Sequence, residues 1–90
     1  MTKTVSLIRI PSHEPNLHDL FTMNSVLTDV SNASFERWTL PDGVSMSNGK
    51  IVDQRGNVGL IVPYGAMRPG GVPAVAFSYR DPIPLVRAEE

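Results

Sequence analysis

The chain has 90 residues, enough for one domain with a small core, and 8 Lys and Arg against 9 Asp and Glu leave a formal net charge of −1. Its basic residues, Arg9, Arg37, Lys50, Arg55, Arg68, Arg80 and Arg87 among them, form no block, so there is no electrostatic footprint for nucleic acid; with no cysteine, disulfides, thiolate metal sites and thiol nucleophiles are excluded. No run approaches the roughly 20 apolar residues of a membrane helix, and MTKTVSLIRI does not read as a signal peptide, so the expectation is a cytoplasmic protein or one in a particle assembled in the cytoplasm.

Residues 4–10, TVSLIRI, read as a strand with Val5, Leu7 and Arg9 on one side and Ile8 and Ile10 on the other; Pro11 ends it by removing a donor. After a connection, PSHEPN, the spacing of Leu17, Leu20, Phe21, Met23, Leu27 and Val30 predicts a helix over 17–30, with Asn16 as its N-cap and Asp19 in its first turn. Residues 35–40, FERWTL, alternate as a strand, with Trp38 assigned to the core, and Pro41-Asp42-Gly43 is a turn.

Residues 43–63 carry two turn signals, Asn48-Gly49 and Gly56-Asn57, between apolar runs, which predicts a three-stranded meander. A two-residue turn at each pairs Met46 with Ile51, Val44 with Asp53, Asp53 with Leu60 and Ile51 with Val62. Val44, Met46, Ile51, Leu60 and Val62 then share the core face, with Asp53 a misfit carboxylate beside them: inward with a shifted pKa, or on the rim and bonded to a turn amide or Arg55. The stretch 63–73, PYGAMRPGGVP, is a long loop, and 74–79, AVAFSY, a last strand. Residues 81–90, with Pro82 and Pro84, form an extended tail that nevertheless holds Ile83, Leu85 and Val86.

Motifs for chemistry are few. His13-Glu14-Pro15-Asn16-Leu17-His18 approximates a zinc-binding HExxH, but the spacing is one residue too long and Pro15 breaks the helix that would align the imidazoles. Serines are plentiful, and Asp19 or Asp29 could orient a histidine, yet Gly-x-Ser-x-Gly is absent. The loop glycines at 65, 70 and 71 lack the Lys-Ser/Thr of a phosphate-binding loop. No catalytic, cofactor-binding or metal residue is assigned. The residue types that favour protein contact are Tyr64, Met67 and Arg68 in the loop and Ile83, Leu85 and Val86 in the tail.

The expected fold is therefore α+β: one helix packed on a mainly antiparallel sheet that contains the meander, over residues 1–80, with 81–90 as a tail. A small curled β-barrel with one helix is the alternative. The expected function is a non-catalytic assembly or structural subunit, for example a virion or particle accessory protein or another homo-oligomer, acting through protein–protein contacts with itself or a heterologous partner, without nucleic acid, membrane or cofactor. Two alternatives are a small monomeric regulator or inhibitor that docks on one larger protein, and a small metal-binding or hydrolytic domain using His13 and His18. On the assembly reading, deleting 81–90 breaks oligomers and leaves the domain folded.

Overall fold

The computed structural model describes residues 3–24, 32–65 and 70–88. In chain order the strands are β1 (Thr4–Ile10), β2 (Leu20–Thr22), β3 (Ser34–Thr39), β4 (Val44–Ser47), β5 (Lys50–Asp53), β6 (Val58–Tyr64), β7 (Val72–Phe77), β8 (Arg80–Pro84) and β9 (Val86–Arg87). They make two antiparallel sheets, ordered β2-β1-β3-β9 and β4-β5-β6-β7-β8, one of them curled into a half-barrel. The core draws on both sheets. Val5, Leu7, Trp38 and Leu40 from the first region meet Val44, Ile51, Val75, Phe77 and Leu85 from the second.

The α+β expectation is overturned: the described residues contain no helix. Within the stretch expected to be helical, Leu20–Thr22 is a strand that pairs with Ile8–Ile10, while residues 25–30 lie outside the described residues. The reason lies in two side chains. Phe21 packs against the core and meets Trp38 edge-on, with ring centroids 6.5 Å apart. Asp19 does not serve a helix N-terminus: it accepts hydrogen bonds from the Ser12 and Gly70 amides and from Arg9. Weak helix propensity loses to these tertiary commitments.

The strand at 4–10 forms as expected, and β3 lies beside it along almost its whole length. The first hairpin is also as expected: Asn48 (φ 52°) and Gly49 (φ 76°) both adopt the left-handed conformation of a type I′ turn, and Met46 opposes Ile51. The second hairpin is not. Its loop is three residues, 54–56: the Gly56 amide donates to the Asp53 carbonyl at 3.2 Å, the Asp53 amide to the Asn57 carbonyl at 3.0 Å, and Gly56 takes φ 84°. Ile51 therefore opposes Gly59 rather than Val62. A shift of three residues is odd, so β6 presents its other face to the core.

Gly59 and Ile61 turn inward, and Leu60 turns out, 67 % exposed. Gly59 is required where it sits. A Cβ there would lie 2.6 Å from Val75 Cγ2 and 2.9 Å from Phe77 Cε1. Gly59→Val is expected to destabilise the domain by about 3 kcal/mol, the upper range of overpacking. In urea melts the midpoint should fall at unchanged slope; a loss within experimental error would show that β7 yields there.

The C-terminal residues are built into both sheets. β8 pairs with β7, and β9 pairs with β3, where Trp38 opposes Arg87. Leu85, between them, is 4 % exposed, and its amide donates to the Pro73 carbonyl at 3.0 Å. Among the described residues no helix is long and apolar enough to cross a membrane.

Candidate interaction surfaces

Arg9 shares the inward side of β1 with Val5 and Leu7, which places a guanidinium at the end of the core. Its Nε donates to both Glu36 oxygens at 3.1 and 2.9 Å, and its Nη1 donates to Asp19 at 3.0 Å and to the Gly71 carbonyl at 2.8 Å. The guanidinium carbon stands 4.9 Å from the Phe21 ring centroid. Glu36 also accepts from Trp38 Nε1 at 3.2 Å and pairs with Arg87 at 3.3 Å. Two cations and two carboxylates thus join β1, β3, β9, the 11–19 segment and the end of the β6–β7 loop. All of this chemistry is spent on holding strands together, and the group has the character of a structural staple.

Burial opposes the charge on Asp19, but the Ser12 amide, the Arg9 guanidinium and the Gly70 amide outweigh it and hold its pKa below the ordinary carboxylate value. Arg9 likewise loses by burial and gains more from Glu36 and Asp19, so its pKa is raised. For an acid with a depressed folded pKa, the stabilisation is complete above the unfolded pKa of about 3.9 and disappears as pH falls through the folded value. The stability difference between the wild type and Asp19→Asn should hence be flat from about pH 8 to pH 5 and shrink below about pH 4. A difference independent of pH down to the acid transition would remove Asp19 from this role.

The residues expected to contact a partner do not form one surface. Tyr64 is exposed at the end of β6, Ile83 is half-buried against the core, Leu85 is inside it, and Val86 is exposed on β9. Met67 and Arg68 lie outside the described residues. The register of β6 brings other side chains forward. Val58, Leu60 and Tyr64 alternate along one outer face as exposed apolar residues, with Val62 half-buried between them. β2, carrying exposed Leu20, packs alongside β6, and Phe35 on β3 is 73 % exposed. Sequence reasoning missed this row because it placed Leu60 and Val62 inside; a glycine inside the strand pattern at 59, a mark of close backbone approach, was the available signal.

His13 is exposed and His18 half-buried, and both line a shallow groove of about 560 Å³ with Ile10, Pro11, Leu17 and Leu20. His18 Nδ1 is buried without a hydrogen-bond partner. The described residues contain no group of three or more His, Asp or Glu side chains placed to hold a metal ion.

Three connections meet at one end of the five-stranded sheet: the Pro41–Val44 turn, the 54–57 loop and the Ser78-Tyr79 turn. Asp53 ties them. Its Oδ1 accepts from the Arg55 and Asn57 amides, each at 2.8 Å, and its Oδ2 accepts from Asn57 Nδ2 at 2.9 Å and from the Tyr79 hydroxyl at 2.6 Å. The Tyr79 hydroxyl, then Asn57, hold the carboxyl far below its usual range, and the same bond raises the Tyr79 pKa. Asp53 is the rim residue bonded to turn amides, not an inward acid. Beside it runs a groove of about 420 Å³.

Neither the fold nor any likeness supports a place in a virion or a homo-oligomer. No protein-family model matches the chain, and neither the curated proteins nor the solved structures contain a match to it.

Proposed function

We propose that the chain is a non-catalytic structural or assembly subunit that works through protein–protein contacts made by the outer face of β6. The observation that carries this reading is the row Val58, Leu60 and Tyr64, which the three-residue loop at 54–56 turns away from the core. Outer strand positions in a free-standing antiparallel sheet are ordinarily polar, and clustered apolar side chains on such a face mark contact surfaces. Tyr64 and Leu60 supply large, stiff contact area at modest entropic cost. Docking of a small monomeric regulator on one larger protein would use the same row.

A photoreactive benzophenone side chain at position 60, introduced in cells, tests the reading. One discrete protein adduct is expected, absent when the group stands at exposed Lys50 and lost when Val58→Asp is added. Adduct formation at position 60 no greater than at position 50 would sink the proposal. The mass of the adduct separates a second copy from a larger partner.

A further inference from the structure

The groove at the turn end of the five-stranded sheet has features that neither the core nor the β6 face explains. Tyr79 is 55 % exposed, yet its ring is fixed at both ends: the hydroxyl donates to Asp53 at 2.6 Å, and Phe77 backs the ring with centroids 5.5 Å apart and 32° between planes. These contacts hold the ring in one orientation while more than half of its side chain faces solvent. A rigid aromatic platform does lower the entropic cost of placing something flat against it.

The surroundings define what that would be. Asp42, Gln54, Arg55, Asn57 and Arg80 border the groove with exposed side chains that end in planar, two-pronged groups, both donors and acceptors. Such forks suit neighbouring hydroxyls, each of which gives and takes a hydrogen bond. Two carboxylates, Asp42 and Asp53, balance two guanidinium groups, Arg55 and Arg80, so a polyanion gains no net attraction. The ligand should be neutral, with one apolar face for the ring and polar edges for the forks. A pyranose sugar has this form, its axial C–H bonds making one face apolar and its hydroxyls projecting from the rim.

The groove is also preformed. Gln54 lies over Gly43, whose missing Cβ would stand 3.6 Å from Gln54 Cδ, and Gly43 holds φ 80°. Asp53 fixes the 54–57 loop from within by its bonds to both turn amides. Residues on turns carried by a rigid sheet are a common setting for recognition. We propose that this groove is a binding site for a neutral saccharide, with one pyranose ring stacked on Tyr79 and its hydroxyls held by the planar side chains around it.

The site is independent of the β6 face, and so is its test. The full chain, labelled with nitrogen-15, is titrated with a panel of neutral methyl pyranosides, with adenosine in a parallel titration. At least one pyranoside should shift the amides of Gly43, Arg55, Asn57 and Arg80 saturably, in the millimolar range expected of a single ring. Tyr79→Ala should weaken that binding about tenfold, the scale of one lost aromatic contact, with amide shifts in β1 and β3 unchanged. Tyr79→Phe keeps the platform but frees it from Asp53, and should fall between the two. No saturable shift with any pyranoside, shifts with adenosine alone, or equal binding by Tyr79→Ala would each overturn the proposal.

Discussion

Arg9→Leu should destabilise the domain by about 3–5 kcal/mol, the range for removing one partner from a buried ionic group. That is a large part of the roughly 5–15 kcal/mol that holds a domain of this size together. The loss is not of attraction alone. Asp19, 4 % exposed, would keep its charge with only two backbone amides for company, and Glu36 would rely on Trp38 and Arg87. Arg9→Lys should recover little. One ammonium cannot serve both oxygens of Glu36, Asp19 and the Gly71 carbonyl, which the planar guanidinium reaches with Nε on one side and Nη1 on the other. The double variant Arg9→Leu/Glu36→Leu should be more stable than Arg9→Leu alone, because a largely buried carboxylate left with only one exposed cation goes with its lost partner. Urea denaturation of the wild type and the three variants decides it; a cost under about 1 kcal/mol for Arg9→Leu would reduce the cluster to an ordinary surface pair.

Deleting residues 81–90 should unfold the domain outright. The sequence alone suggests a dispensable tail, but that segment supplies most of β8, all of β9 and a core side chain. Loss of Leu85 alone costs about 2–5 kcal/mol by analogy with buried leucine truncations. The deletion also strips β7 of its outer partner and leaves the β3 edge at Trp38–Thr39 unpaired. Circular dichroism and amide dispersion should show an unfolded chain at 25 °C. A cooperative thermal transition in the truncated protein would restore the view that 81–90 is an appendage.

Particular residues show how much could be read in advance. Thr4–Ile10 was legible because apolar residues, two of them β-branched isoleucines, recur on both its faces and Pro11 stops it, and the first hairpin because Asn48-Gly49 satisfies only one common turn. The second hairpin was ambiguous for a local reason. Gly56 can stand in a two-residue turn with Asn57 or end a three-residue loop begun at Gln54, and both place it at positive φ. The Asp53 carboxylate favours the longer loop by accepting from the Arg55 amide within it and the Asn57 amide just after it. From that one residue of difference followed the wrong face for Leu60 and Val62, and with it the missed surface on β6. The helix expected at 17–30 failed at its start for a tertiary reason: spacings of three and four at Leu17, Leu20 and Phe21 are silent about an aspartate two residues from Phe21 that is claimed by amides at positions 12 and 70. The Tyr79 groove joins side chains 26 positions apart in sequence, which no local pattern records.

The pairing of β3 with β9 also bears on how the protein is made. Trp38 meets Arg87 only after every residue from β4 to β9 has been synthesised, and Leu85 reaches the core at the same late moment. Pairings between such distant segments form slowly, because a long loop must close before the contact rewards it. During translation the first sheet waits with one edge of β3 and part of the core uncovered. Core side chains from both sheets stay uncovered meanwhile, which exposes the growing chain to chaperones, proteases and like neighbours until β9 has emerged. A reporter fused after residue 88 would therefore need a linker long enough to let β9 reach β3 unhindered.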